Sequence, residues 1–391
     1  MLRSLYSGIS GLRSHQQMLD VTGNNIANVN TVGFKSSTTV FQDTLSQMTQ
    51  GAGGPQTGIG GTNPAQIGLG VQVAGVSTNF SQGSAQATGK ATDLMISGDG
   101  FFVTRLGNDT VYTRAGAFDF DADGRLVTAD GKIVQGYPAT NGVVNENGQL
   151  SDITLPLEAA APAVRTTAAT VAGNLPSETA VGQTITREAT VYDASGAKHT
   201  MSLAYTRTAD GWDVTGRNGQ GTTATTSLTF GTDGKLTAGG TLAVGGIRVD
   251  MGDLTGFASL NTAAIGSQNG REAGALQGYS ISKDGTVTGT FSNGASLALG
   301  RIALATFANP AGLEKTGASG YRATANSGGA TVGGPGSAGV GSLAAGTLEM
   351  SNVDLSQEFT NLIVAQRGFQ ANARIITTSD EVLQELTNLK R

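Results

Sequence analysis

Both ends of this 391-residue chain carry the same spacing of apolar side chains, and nothing between them does. In the last stretch, Asp354 to Leu389, the residues Phe359, Leu362, Phe369, Ala373, Ile376, Leu383 and Leu386 follow one another at steps of three, four and seven. In the first, Leu2, Leu5, Ile9, Leu12, Leu19 and Ile26 keep that spacing, with Gln16 and Gly23 in the remaining positions. Steps of three and four put side chains on one narrow stripe of a helix, the arrangement by which two helices pack side by side. The spacing predicts a helix from residue 2 to about 29 and a second from about 354, paired as a coiled coil. By itself it leaves open an ordinary amphipathic helix that packs on its own domain.

Between the ends the pattern changes to short alternating strands. Asp-Gly pairs begin at Asp99, Asp123, Asp130, Asp210, Asp233 and Asp284, and Asn-Gly pairs at Asn141, Asn147, Asn218, Asn269 and Asn293. These dipeptides suit the positive φ of tight hairpins, so antiparallel β structure is expected. The Pro/Ala-rich PLEAAAPAVRTTAA marks a boundary near Leu157. Residues 31–70 read as a poor former of helix or strand, hence as an extended Gly-rich connector with a loop. The expected fold is mixed and mainly β, with paired terminal helices and two nested antiparallel β domains. Residues 1–30 with 352–391 form the helical domain, and 31–70 with 333–351 the connector. Residues 71–157 with 275–332 form an inner β domain, and 158–274 an outer one. Asn352 or Asp354 is placed to cap the last helix.

Composition removes whole classes of function. No cysteine is present, so disulfides and thiolate metal sites are excluded. A net charge of −5 without a basic run makes nucleic acid a poor partner. No apolar run approaches the roughly 20 residues of a membrane span, and the N-terminus lacks the pattern of a cleaved signal peptide. The best site-like match is DFDADGRLVTAD, where Asp119, Asp121, Asp123 and Asp130 fall at calcium-loop positions. Its last position wants a longer Glu and its flanks want helices, so a solvated hairpin is the expectation. GPGSAG from Gly334 and GSAQATGKAT lack the strand-to-helix context or the spacing of phosphate loops. Two histidines, His15 and His199, leave little for a triad or a His-based metal site. No catalytic, metal or cofactor site is expected, and no enzyme.

The ends therefore carry the functional content. A lone two-helix hairpin buries too little apolar surface to offset the entropy of ordering it. It gains stability by packing against further copies, and contacts that repeat without closing make filaments. Leu2, Leu5, Ile9, Leu12, Leu19, Ile26, Phe359, Leu362, Phe369, Ile376, Leu383 and Leu386 are the candidate polymerisation residues. The competing class is a surface β-protein with an adhesive or carbohydrate-binding role, a monomer whose ends are dispensable.

MLRSLYSGISGLRSHQQMLDVTGNNIANVNTVGFK resembles the shared N-terminal signature of the bacterial flagellar rod and hook axial proteins. LEMSNVDLSQEFTNLIVAQRGFQANARIITTSDEVLQELTNL resembles their C-terminal signature. DLMISGDGFFV, YTRAGAFDFDADGRLV and GTVTGTFSNGASLALGRIALATF agree as well, whereas 158–274 carries little of the likeness. That extra β region points to the hook branch of the family, with a distal rod protein forming a straight drive shaft as the alternative. The resemblance implies a self-assembling tube, the flexible universal joint between motor rod and filament, with terminal helices lining its channel. It further implies an extracellular flagellar location and unfolded export by the type III apparatus without a cleaved signal. The partners it implies are further copies of the chain, the distal rod protein, the hook cap and the hook-filament junction proteins. Phe41 and Leu45 in FQDTL match the short element that such substrates present at the export gate.

Overall fold

The computed structural model describes residues 2–55, 57–58, 60–140, 142–146, 148–156, 161–337 and 339–388, with the side chains of Leu2 and Leu386 outside the description. Asn141 and Asn147 of the expected turns, the boundary at Leu157, and Leu389 also lie outside the described residues. The chain is mainly β, with two long helices, α1 (Leu2–Ala27) and α2 (Leu355–Asn388), packed along each other. It divides into two compact units. The first comprises 1–155, 280–288 and 298–391, and the second 156–279 and 289–297.

In the first unit the chain leaves α1 and forms two antiparallel strand pairs where a connector is expected. Strand β1 (Ser37–Asp43) pairs with β4 (Val71–Thr78), and β2 (Ser46–Gln50) pairs with β3 (Ala65–Gly68). The Gly- and Gln-rich composition hides these strands, because no apolar alternation marks a buried face; β2 and β3 are exposed along their whole length. The sheet beyond them runs, neighbour to neighbour, through Ser296–Ile302, Ile133–Thr140, Phe101–Leu106, Asp109–Thr113, Gly320–Arg322 and Glu314–Gly317. Phe102 packs with Leu94, Ile96, Phe118, Leu126, Val134 and Ile302 in one cluster. Phe101 and Val103 belong to a second, with Tyr112, Phe307 and Tyr321. Successive residues of a strand point to opposite faces, so this strand is buried on both. That explains why FFV reads as a continuous apolar run rather than an alternating one.

The acidic stretch forms a hairpin, Phe118–Phe120 against Leu126–Thr128. Its carboxylates are bound to cations of the chain: Asp119 to Lys90, Asp121 and Asp123 to Arg125, Asp130 to Lys132. The chain returns to α2 by strands that pair with its outgoing half, Ser342–Ala345 on Leu94–Ser97 and Thr347–Glu349 on Ala85–Ala87.

The second unit has two sheets around one core. A five-stranded antiparallel meander runs Thr184–Tyr192, Lys198–Arg207, Trp212–Arg217, Thr223–Phe230, Leu236–Ala238. A four-stranded sheet has the order Thr241–Val244, Ile247–Thr255, Ala168–Asn174, Ala264–Gln268. Met201, Leu203, Tyr205, Trp212, Val214 and Leu228 from the first sheet pack with Val171, Val244, Val249 and Met251 from the second. Ala168–Asn174 and Ile247–Thr255 run parallel, which corrects the expectation of wholly antiparallel domains. The meander lies between them in sequence and serves as the long crossover that a parallel pair requires.

Candidate assembly surface

Small residues, not leucines, bring the two helices together. A Cβ added at Gly11 would stand 2.7 Å from the Asn372 side chain, and one at Gly8 3.4 Å from Ile375 Cγ2. On α2, a Cβ at Gly368 would lie 2.5 Å from the His15 ring. Ala365, one turn earlier, is fully buried. Residues three or four apart share a helix face, so Gly8, Gly11 and His15 form one row and Ala365, Gly368 and Asn372 another. With no side chain at these glycines, the backbones approach closely. His15 is wedged in this contact, its ring centroid 5.7 Å from that of Phe41, and its Nδ1 is buried without a hydrogen-bond partner.

The candidate residues fall beside this row. Leu5, Ile9, Leu12, Leu19 and Ile26 of α1 and Leu362, Phe369, Ile376 and Leu383 of α2 are half-buried. Phe359 is 52% exposed, together with Leu355, Ile363 and Val364. Gln366 and Asp380 are exposed, as are Gln16 and Gly23. Of the two gate candidates, Leu45 is 84% exposed, while Phe41 leans on His15.

Polar anchors missed by periodicity fix the bases of both helices. The Asn25 side chain donates to Ser37 O at 2.7 Å and accepts from Ser37 N at 3.0 Å. Its Nδ2 also donates to the buried carboxylate of Glu358 at 3.0 Å. One side chain thus joins α1, β1 and the first turn of α2, where a carboxylate is favoured by the helix dipole. Asp354 caps α2, its Oδ1 accepting from Ser356 N at 2.8 Å. Asn352 instead accepts from Ser36 N at 2.8 Å and donates to Asn79 O at 2.9 Å. Nearer the start of α1, Ser10 Oγ accepts from Val71 N at 3.3 Å, bringing β4 onto the helix.

Behind these anchors lies a buried ion cluster. Lys35 Nζ donates to Glu349 Oε1 at 2.6 Å and to Ser81 O at 2.7 Å, and Arg114 donates to Glu349 Oε2 at 3.4 Å. Burial pushes the Lys35 ammonium and the Arg114 guanidinium below their ordinary pKa values, and the Glu349 carboxylate opposes this in both. Gly33, at φ +67°, passes so close to the Arg114–Ala115 peptide that a Cβ would sit 2.5 Å from Ala115 N. The sequence signals the cluster only through Lys35 and Glu349, each the single charge of a long uncharged stretch and 314 residues apart, whereas Arg114 sits among other charges.

In the second unit, a polar cavity of about 370 Å³ is lined by Arg165, Asp193, Ser195, His199, Asn218 and Gln220, among others. Asp193 accepts from both the Ser195 hydroxyl and His199 Nε2, so the histidine does not stand between serine and carboxylate as a triad requires. Among the described residues no group of His, Cys, Asp and Glu is arranged to hold a metal ion.

The similarity of this chain to known proteins runs along its whole length. Residues 5–35 match the flagella basal body rod protein model and 344–389 the C-terminal model of flagellar basal body rod FlgEFG proteins. Residues 95–171 match the flagellar hook protein FlgE/F/G D1 domain, and 166–299 the flagellar basal body protein FlaE D2 domain. The flagellar hook protein FlgE of Borreliella burgdorferi is 38% identical, with all of both chains covered. That of Salmonella typhimurium is 37% identical, covering 99% of this chain and 100% of the relative. The flagellar basal-body rod protein FlgG of Bacillus subtilis is 36% identical, again over all of both chains. By identity, coverage and domain content, the chain belongs to the flagellar hook protein FlgE family.

Proposed function

We propose that this chain is the structural subunit of a flagellar hook and polymerises through its terminal helices and the strand pairs packed on them. The observation that carries this reading is the apolar surface left open at that end. Fifteen of the twenty large apolar side chains exposed among the described residues lie between Tyr6 and Val76 or between Leu355 and Val382. Surfaces of that kind mark sites of association. The helix pair then acts as a polymerisation handle, as a coiled coil around the tube axis, and the β domains nest outside it. Hook capping and junction proteins, the distal rod and the type III export apparatus are its proposed partners, with Phe41 and Leu45 presented to the export gate before folding.

Deletion of residues 354–391 tests the handle. Sedimentation is expected to report a soluble species that no longer polymerises, and circular dichroism a retained β signal. Filaments formed by the truncated chain would end the assembly role of α2. The full-length likeness to a rod protein favours a second reading, a straight stiff tube. Electron microscopy of purified polymers separates the two, since a hook is curved and supercoiled.

A further inference from the structure

The polar cavity of the second unit is lined by groups to which an assembly role gives no work. Three hairpin turns meet there, Tyr192–Lys198, Arg217–Thr223 and Val244–Ile247, together with Arg165 and Thr166 ahead of the strand Ala168–Asn174. Side chains of the turns themselves stiffen two of them. Asp193 Oδ1 accepts from Ser195 N at 2.8 Å and from Ala197 N at 2.9 Å. Asn218 Oδ1 accepts from Gln220 N at 3.3 Å and from Thr222 N at 3.0 Å.

These bonds fix the orientation of the Asn218 amide and leave Nδ2 as its open arm. Asn218 is 6% exposed, and Nδ2 donates to none of the described residues. Polar groups so deeply placed normally have a partner. The neighbouring turn makes room for one. Gly245 has a φ of +59°, and a Cβ there would stand 2.0 Å from Asn218 Nδ2. Arg165 abuts the same turn, its Nη2 donating to Gly245 O at 3.0 Å. A guanidinium carries further N–H groups that this one bond does not use. The Gln220 amide is exposed on the same wall.

Acceptors are scarcer. Asp193 is the only carboxylate on the wall among the described residues, and it already accepts from the Ser195 hydroxyl, two backbone N–H groups and His199 Nε2. A carboxylate can only accept, so Nε2 carries the proton, and the neutral imidazole leaves Nδ1 as an acceptor. The wall thus combines a set of free donors with one imidazole acceptor, and the Tyr192 ring lies beside them.

We propose that this cavity binds a small hydroxylated carboxylate, an acidic sugar by chemical class. The ligand carboxylate takes the donors of Arg165, Asn218 and Gln220, and a ligand hydroxyl donates to His199 Nδ1. A neutral sugar would offer the guanidinium no charged acceptor, which makes the weaker kind of bond. A bare inorganic ion would leave much of the space unused, since about 370 Å³ falls in the range of small-molecule pockets, roughly 300–1,000 Å³. The site goes beyond the assembly role and does not depend on it, because every residue named belongs to the second unit.

Glucuronate is the probe, titrated against the full-length chain and read by saturation-transfer NMR, with glucose and sulfate for comparison. Glucuronate is expected to bind about tenfold or more tighter than glucose, and sulfate to displace it only at higher concentration. Asn218→Asp keeps Oδ1 and exchanges the open donor for a negative charge, and Gln220→Glu does the same at an exposed position. Each should weaken glucuronate about tenfold or more, because like charges then face each other. Melting followed by tryptophan fluorescence checks that both variants are folded. Should Asn218→Asp unfold, Gln220→Glu carries the test. No glucuronate binding by the parent, equal binding of glucose, or a folded Gln220→Glu that binds like the parent would each overturn the proposal. Sulfate binding as tightly as glucuronate would overturn the sugar and make a free oxyanion the occupant. Both variants should polymerise like the parent, and a chain that binds glucuronate but forms no filaments would fail the assembly reading alone.

Discussion

The second β unit and the helix-bearing end of the first bury their apolar residues in opposite ways. In the β unit Trp212, Tyr205, Met201, Leu203 and Leu228 are all fully buried, and among its described residues only Val181, Phe257 and Leu260 are large apolar side chains left exposed. At the helical end the closest contacts are made by glycines and by Asn25, Asn352 and Ser10, while apolar side chains of α2 and of strands β1 to β4 face outward. One region buries its large apolar side chains within its own core, and the other leaves many of its large apolar side chains open to solvent. The difference teaches that hydrophobicity does not by itself mark a core. In a subunit, polar and small residues can fix the fold while the apolar ones are reserved for neighbours.

The largest expected effect comes from the ion cluster. Glu349→Ala strips Lys35 and Arg114 of the carboxylate that accepts from both, and leaving buried charges unpaired costs about 3–5 kcal/mol. The single tryptophan lies in the β unit, so its fluorescence reports that unit, and ellipticity at 222 nm (about the helix minimum) reports α1 and α2. In urea the helical transition should move to lower concentration while the fluorescence transition stays. Equal shifts in both would dissolve the contrast between the regions.

The reciprocal change is Met201→Ala. Met201 is fully buried in the β-unit core, so its truncation should cost about 2–5 kcal/mol and lower the fluorescence transition alone. Polymerisation below that transition is expected to persist, since the assembly end is untouched.

These two changes differ in how far the sequence announces them. Met201, Leu203 and Tyr205 alternate along one strand, and period two with a turn at each end is readable by eye. The two terminal helices are equally legible from their heptads. The contact between them is not, because Gly8, Gly11 and Gly368 carry no hydrophobic signal and matter only through what their missing side chains allow. Asn25 with Glu358, and Lys35 with Glu349, are joined across most of the chain, a separation no local pattern encodes. Strands β2 and β3 escape notice because both of their faces are exposed in the monomer.

A smaller effect is expected at the helix contact. Gly368→Ala puts a methyl 2.5 Å from the His15 ring, and overpacking of this kind costs about 1–3 kcal/mol. The helical transition should fall by less than in Glu349→Ala, and His15→Ala in the same chain should restore part of it by making room. A Gly368→Ala variant as stable as the parent would mean that the helices slide apart freely, which the close row of Gly8, Gly11 and Ala365 opposes.

The smallest effect concerns acid, and it separates the regions by pH. The Asp193 carboxylate accepts from the Ser195 hydroxyl at 2.6 Å, from His199 Nε2 at 3.1 Å and from Ala197 N at 2.9 Å. These bonds, the serine hydroxyl first, hold its pKa well below the usual carboxylate range. A carboxyl whose pKa is lowered by folding stabilises the folded state fully above its unfolded value, near 3.9. That contribution declines as pH falls from there through the lower folded value, because the unfolded chain then takes up the proton first. The fluorescence transition of the parent should therefore weaken below about pH 4, by an amount that includes this loop. Asp193→Asn should be less stable than the parent at neutral pH and flatter across the acid range, converging with it at the lowest pH. Parallel acid limbs in parent and variant would show that the loop contributes nothing through its charge. The helical transition should not respond to this substitution at any pH, since Asp193 and the residues that donate to it all belong to the β unit.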